Sequence, residues 1–484
     1  MKTSLGRLVV VSTAAALVVA PITLAGAAAP PKVGATCAKV GATAASGTQS
    51  LICQLKGRKR AWAVAPAAST VPATTKTAST GGAVTTASTA TTTAAAVRLP
   101  KSPGFDPATN TISLGYLGNV AGGPFAPGGK ALFAGFDSYI QRVNAAGGVN
   151  GKYKINNIFL ETAYDPNQAV AKYNEAKDSV VFFSNVFGTP IVTALLPQLV
   201  KDDLVGVPTS LDAEWVNKPN FLANGGSYQA QAMNGVEYYL STAGANKKIC
   251  GLTVQTSFGL TGQEGFRYAV ATKKLSAGPD LVVAASDTNM TAPMSQFKAA
   301  GCDAIVTTTL PAQTTSALVT GDQNGYNPTL LCVSPCFDLN AMTPQSSPLY
   351  SKQLLYFGDP APWGDTSNPG MKDMLEDLAK YNPYYIGNPN VAAVWGYAQA
   401  RLVEALIKKA IANNDLSKAG IKKAVATLGR VDLGGAFPEY DYGDPTKRQV
   451  TPFVNVYRPD ASVLAGLVLV KGAYASDLAK GYRK

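Results

Sequence analysis

The stretch from Thr111 to Gly151, TISLGYLGNVAGGPFAPGGKALFAGFDSYIQRVNAAGGVNG, constrains this chain most. It reads as strand, glycine-rich loop, helix and glycine stop. Ile112, Leu114, Tyr116 and Leu117 form a short apolar run of strand formers. Asn119 to Gly129 is dense in glycine and proline, and reads as continuing neither element. Phe133, Phe136, Ile140 and Val143 recur at spacings of three and four, which places them on one helical face. Gly147-Gly148 ends the helix where a left-handed residue is needed. In an open α/β sheet such a loop leaves the carboxyl end of a strand. The helix behind it offers unpaired N–H groups and partial positive charge to a ligand. The same segment also serves as a plain connection, so the loop alone decides nothing.

The texture repeats from about residue 102 onward. Short apolar runs predict strands at 111–117, 155–161, 180–184, 249–254, 281–285, 304–309, 329–333 and 354–358. Helical patterns lie between them, among them 168–176, 229–242 and 262–275. Such alternation predicts an α/β fold with parallel sheets and right-handed crossovers. Beyond position 101 lie 383 of the 484 residues, too many for one such unit, so two domains are expected. Two helices follow, near 369–381 and 391–412. Along the second, Ala393, Tyr397, Ala400, Glu404 and Ile407 share one side, broadened by Leu402, Val403, Leu406 and Ala410. That stripe reads as core. A strand pair at 449–457 and 463–470 closes the chain.

The N-terminal hundred residues read differently. Lys2 and Arg7, the apolar run Leu8 to Ala20, and Ala25-Gly26-Ala27 or Ala27-Ala28-Ala29 have the form of a secretory signal, residues 1–29. The run is too short for a lasting membrane span and meets Pro21. No Cys stands near the cleavage site, so a lipid anchor is not expected. Residues 31–64 form a compact piece marked by Gly34, Cys37, Gly41, Gly47, Cys53, Gly57 and Trp62. So short a piece buries little core and leans on its disulfide. Residues 65–101 are mostly Ala, Thr, Ser, Pro, Val and Gly, the composition of a disordered linker.

The net charge of +12 is confined to that end. Of 42 Lys and Arg, 11 lie in residues 1–101, which hold no Asp or Glu; the remaining residues carry 31 bases against 30 acids. Nucleic-acid binding by the main body has no electrostatic support. The surplus is densest at Lys56, Arg58, Lys59 and Arg60. There it is either a solvated face or a contact for an anionic cell-wall polymer.

Six cysteines in an exported chain favour disulfides. Cys37 and Cys53 stand alone in the N-terminal piece and are expected to pair. Cys332 and Cys336 flank a Ser-Pro turn and can close a small loop. Cys250 and Cys302 can bridge if their strands are neighbours. Zinc is a poor rival, because the spacing is wrong and histidine is absent. The lack of any histidine excludes Ser-His-Asp, Cys-His and His-metal sites. Acid–base chemistry would fall to carboxylates, Lys or Tyr, and no acid pair stands in a motif that suggests it. Gly123 to Lys130 comes near a phosphate loop, but Gly129 and Ala131 break the required pattern. Neither an enzyme nor a cofactor is expected.

IQRVNAAGGVNG, ETAYDPNQAVAKYNEA, FSNVFGTPIVTALLP, GVPTS, SFGLTGQEGFRYAV and GGAFPEYDYGDP follow one another between about residues 108 and 470. Their order and spacing resemble those of type I periplasmic-type solute-binding proteins, the Leu/Ile/Val-binding branch of ABC importers. The N-terminal piece is similar to small Cys-pair modules of secreted actinobacterial proteins. The resemblance implies two doubly wound α/β lobes joined by three crossings and closing on a solute. Lobe one would be 102–224 plus 360–438, and lobe two 225–359 plus 439–484. The implied role is an extracellular receptor with two partners, a small solute and a membrane ABC permease. A sensor uncoupled from transport and a structural wall-associated protein are the alternatives.

The resemblance also implies a site. Asn119, Gly122, Gly123 and Phe125 belong to the first ligand loop. Asn185, Phe187, Gly188 and Thr189 belong to the second, where backbone N–H groups meet a carboxylate in the family. Thr209 and Ser210 match the hydroxyls that also hold that carboxylate. Tyr228, Phe258 and Leu310 fall where lobe two covers the ligand. Asp165 stands in the family's usual acidic position. The hydroxyl residues equally suit caps and turns, and the aromatics equally suit a core. Amino-acid binders of this family hold the ammonium with a lobe-two carboxylate. Here the matching segment is Ser334-Pro335-Cys336, with Asp338 two residues on. Unless Asp338 or Asp287 reaches in, an unpaired buried ammonium would cost several kcal/mol. Phe125, Phe187, Tyr228, Phe258 and Trp363 better suit an apolar or aromatic carboxylate or amide.

Overall fold

The computed structural model describes residues 99–123 and 125–484, with Lys32, Ala35, Thr36 and the strands Thr43–Ser46, Gln49–Lys56 and Lys59–Val64. The expected signal 1–29, the Cys37–Cys53 pair and almost all of the linker 65–101 lie outside the described residues. Residues 1–84 and 85–484 form two units. In the first, the three strands pair antiparallel in chain order, with Ser46 opposite Gln49 and Lys56 opposite Lys59.

In the second unit, Thr111–Gly118 is buried on both faces from Leu114 onward, as a central parallel strand should be. Its sheet runs Lys154–Glu161, Thr111–Gly118, Phe183–Phe187, Gly206–Thr209 in parallel, with the short Phe105–Asp106 pairing antiparallel to Thr111–Gly118. Another sheet runs Asp280–Val283, Ile249–Val254, Ala304–Thr308, Thr329–Val333, Leu354–Gly358 in parallel, then Val454–Pro459 and Leu467–Tyr474 antiparallel. In both, the first parallel strand lies between the second and the third. Each sheet therefore has a switch point, and ligands gather there at the carboxyl ends of strands.

The chain passes between the sheets three times. It leaves the first after Gly206–Thr209 and builds the second through Leu354–Gly358. It then returns to lay Pro369–Tyr381 and Val391–Ala412 against the helix Ala126–Ala145, and crosses back to Val454–Pro459. The two long helices touch through glycine. A Cβ on Gly396 would stand 1.8 Å from the Leu132 carbonyl oxygen, and one on Gly135 would stand 2.0 Å from that of Ala393. The stripe of Val391–Ala412 is core as expected, with Ala393, Tyr397, Ala400 and Ile407 buried and Glu404 at its margin.

Some boundaries differ from the sequence reading. The first helix starts at Ala126, inside the stretch read as loop. Pro127 sits in its first turn, where a missing N–H leaves nothing unpaired. The run at 180–184 enters its strand only at Phe183, since continuous apolarity does not mark where the ladder begins. The helix expected at 262–275 begins at Ser257. There the Thr256 hydroxyl accepts from the Gly259 N–H at 3.2 Å, ahead of the apolar stripe. The last strand pair lies at Val454–Pro459 and Leu467–Tyr474, later than expected.

Among the described residues two disulfides form. Ile249–Val254 and Ala304–Thr308 are adjacent, and Cys250 bridges to Cys302 with Cα atoms 6.0 Å apart. Cys332 and Cys336 close the small loop. Among the described residues no helix is long and apolar enough to cross a membrane, and no cluster of three or more His, Cys, Asp or Glu could hold a metal ion.

Candidate functional site

Loops from the carboxyl ends of both sheets enclose a cavity of about 170 Å³. On the first side, Phe125 opens Ala126–Ala145, Tyr164 follows Lys154–Glu161, Phe187 and Gly188 end Phe183–Phe187, and Thr209 and Leu211 end Gly206–Thr209. On the other, Tyr228, Phe258 and Pro311 each open a helix. Ser334, Pro335, Phe337 and Asp338 follow Thr329–Val333, and Tyr356 comes from Leu354–Gly358. Gly128, Leu132, Asn390, Val391, Ala392 and Trp395 complete the wall from the paired long helices.

Eight of the twenty lining residues are aromatic. Phe125 stacks on Tyr164 with ring centroids 4.4 Å apart, and Phe187 meets Tyr164 edge-on at 5.9 Å. Tyr228 and Phe258 meet at 5.4 Å across the other side. Ala163 and Tyr164 both sit in the left-handed region, at φ 49° and 60°. Such strain persists where the surroundings hold it, typically at ligand walls. Gly188, at φ 101°, lets the ring in: a Cβ there would stand 2.4 Å from Tyr164 Cε2.

The polar groups expected to meet a solute are mostly engaged with one another. The Gly188 N–H donates to the Thr209 carbonyl at 3.0 Å. Thr209 Oγ1 faces two acceptors, Asn185 Oδ1 at 2.6 Å and Gln399 Oε1 at 2.9 Å. Thr189 and Ser210 share a hydrogen bond of 2.8 Å, and Trp215 Nε1 donates to Ser210 Oγ at 2.8 Å. The Asn390 amide oxygen accepts from the Ala392 N–H, and the Ser334 hydroxyl donates to Gln231 Oε1.

Of the expected site residues, Phe125, Phe187, Gly188, Thr209, Tyr228 and Phe258 line the cavity. Asn119, Gly122, Gly123, Asn185, Thr189, Ser210 and Leu310 are not on its wall. Gly122 and Gly123 face solvent. Asn119 is buried beneath Gly129, where a Cβ would stand 1.9 Å from its carbonyl oxygen. Asn185, Thr189 and Ser210 belong to the internal network above. Leu310 is buried before the helix Pro311–Gln323, and its neighbour Pro311 takes the wall position. Asp165 caps Pro166–Ala176, Asp287 holds the Asn289 N–H, and Trp363 packs on the core while Trp395 lines the cavity. Tyr164, Phe337, Tyr356 and Trp395 escaped the sequence reading. Only Tyr164 left a local signal, standing between a strand end and the helix cap Asp165.

Asp338 is the single ionisable carboxyl on the wall, and no Lys or Arg lines it. Its Oδ1 accepts from the Asn340 N–H at 2.8 Å. Burial pushes the Tyr228 hydroxyl up to about 12 and holds Tyr164 and Tyr356 higher still, with Tyr228 beside both. All three are neutral phenols. Behind Trp395, the fully buried Asp359 accepts from the Gly226 N–H at 2.9 Å, while its other oxygen has no partner. Burial, opposed by that one hydrogen bond, pushes its carboxyl up to about 8.

A two-sheet α/β fold with a cavity at its switch points is an architecture that holds a ligand between its loops. The family profile described as "Periplasmic binding protein" matches residues 111–461. The chain belongs to this family and is a binding protein, not an enzyme. No curated protein matches the sequence. Among solved structures it is similar to a fatty acid ABC transporter substrate-binding protein from Thermomonospora curvata, with TM-score 0.71, 24% identity, and 79% of this chain and 97% of that one covered. A branched chain amino acid ABC transporter protein from Thermus thermophilus with bound valine gives 0.67 and 17%, covering 76% and 98%. An R. palustris solute binding protein in complex with 4-hydroxybenzoate gives 0.63 and 18%, covering 75% and 96%. At these identities the likeness establishes the fold.

Proposed function

We propose that this protein is the extracellular receptor of an ABC importer, closing about its three crossings on a small apolar or aromatic solute. The observation that carries this reading is the aromatic cavity at the carboxyl ends of both sheets, with no base on its wall. Such a cleft suits hydrophobic burial with few polar contacts. We assign the lobes as 102–224 plus 360–438, with the Thr111–Gly118 sheet, and 225–359 plus 439–484, with the Ile249–Val254 sheet; the strand pair Gly429–Val431 and Tyr440–Tyr442 spans the boundary. The similar structures named for a fatty acid transporter and for a 4-hydroxybenzoate complex support an apolar or aromatic solute. The N-terminal signal supports export, and an ABC permease is the expected membrane partner.

A thermal-shift panel on the whole chain tests the reading, with short fatty acids, aromatic acids, their amides and branched-chain amino acids. At about a hundredfold over its dissociation constant, a true solute adds roughly 2.7 kcal/mol. A clear rise in melting temperature for an apolar or aromatic member is expected. A flat response across the panel would contradict solute binding.

A further inference from the structure

The wall of the cavity states which kind of head a solute can carry. This inference rests on the solute-receptor reading and deepens it. A carboxylate entering the cleft meets no Lys or Arg, and the one charge on the wall, Asp338, has its own sign. Two of the groups expected to receive a carboxylate are engaged elsewhere. The Gly188 N–H donates to the Thr209 carbonyl, and the Thr209 hydroxyl is claimed by Asn185 and Gln399. The Tyr164 ring fills the space over Gly188, with its hydroxyl where a Gly188 Cβ would be only 3.1 Å away.

An ammonium fares little better. The Asp338 carboxylate is tied to the Asn340 N–H and is partly open to solvent. What remains for a solute is a set of neutral groups, the phenols and the Asn390 amide nitrogen. Thr189 lies near the Tyr228 hydroxyl, and Ser334 near that of Tyr356. The Tyr164 hydroxyl has no hydrogen-bond partner among the described residues, although it stands on the wall. One free phenol can donate to one carbonyl oxygen or accept from one N–H. It can do little for a charge stripped of water.

We propose that the cleft selects a solute with an uncharged polar head, an amide, ketone or alcohol on an apolar or aromatic body, with Tyr164 as its hydrogen-bond partner, and discriminates against the matching carboxylate and ammonium.

The test is calorimetric titration of the full chain with matched sets on two scaffolds. One set is 3-phenylpropionamide, 3-phenylpropionate and 3-phenylpropylamine; the other is hexanamide, hexanoate and hexylamine. At neutral pH the amide of the binding scaffold should be tighter than its acid and its amine by about a hundredfold. The gap to the acid should narrow as the solution is acidified and the acid becomes neutral. Tyr164→Phe, which keeps the ring, should weaken the amide about tenfold. An acid or amine that binds as tightly as the amide at neutral pH overturns the inference and leaves the receptor reading standing. Unchanged amide affinity in Tyr164→Phe overturns the role of that hydroxyl. Failure of every member to bind a chain that still melts cooperatively overturns both the inference and the receptor reading.

Discussion

The cleft and the crossing region behind it meet at Trp395 and are built from opposite materials. The cleft is aromatic, and its polar side chains mostly point away to internal partners. The crossing region is held by directed hydrogen bonds. Gly226 donates to Asp359, Gln231 Nε2 donates to the Gly226 carbonyl at 3.1 Å, and Gln231 Oε1 accepts from the Ser334 N–H at 2.9 Å. Asn455 Nδ2 donates to the Asp359 and Pro360 carbonyls, and Asn234 Nδ2 to that of Pro452 at 2.8 Å. All three crossing segments are thus fixed by side-chain amides. Hydrophobic contact is non-directional and tolerates many shapes; hydrogen bonds fix one geometry. If the proposed receptor reading holds, the choice of solute and the mechanics of closure reside in largely different residues, with Ser334 and Trp395 shared between them.

The most damaging break in the comparison is Gly225→Val. Gly225 has φ 81°, and a Cβ there would stand 2.2 Å from Trp395 Cη2 and 2.8 Å from Asp359 Oδ2. It should cost roughly 3 kcal/mol or more in denaturant unfolding, and weaken every solute by one common factor.

Asp359→Asn comes next and acts with opposite sign. The carboxyl ionises near 3.8 when unfolded and at about 8 when folded. Its contribution to stability is therefore full below the lower value and is lost as pH rises through the upper one. Asn does not ionise, so the variant should match the parent in acid. It should exceed it by about 4 kcal/mol at neutral pH and more above the upper value, read from melts across pH. A constant difference at all pH values would place the ionisation elsewhere.

Phe187→Ala sharpens the other side of the comparison. Phe187 is only half-buried, so the melting temperature should fall little, while aromatic solutes lose about tenfold in affinity. Equal losses for all solutes would move Phe187 to the mechanical side. Ser334→Ala is the smallest change. Removing one hydroxyl from the link to Gln231 should cost about 1 kcal/mol of stability, read from the melting temperature.

Much of the fold was legible because its signals are local. Alternating strand and helix patterns gave the two parallel sheets, and Gly147-Gly148 marks the end of the first helix with φ values of 102° and 93°. The aromatic character of the site was legible in Phe125, Phe187, Tyr228 and Phe258. The direction of hydroxyls was not. Thr209 and Ser210 carry the right chemistry for a carboxylate. Whether they face the cleft depends on Gln399 and Trp215, which lie far along the chain or within a short turn with no periodic signal. Trp395 and Tyr356 drew no reading as site residues, because a helix stripe and a strand show only that a face is buried, not what covers it. Asp359 gave no signal either, since only packing strips its carboxyl of water.

The most direct test of the account is a fluorescence titration of the full chain against its Trp395→Phe variant with an apolar amide. Trp395 is one of four tryptophans and the one on the cavity wall. The account predicts a saturable change in the parent with one solute per chain. That change should be missing from a variant that melts like the parent. A change of equal size in both proteins, or none with any apolar or aromatic solute, would contradict it.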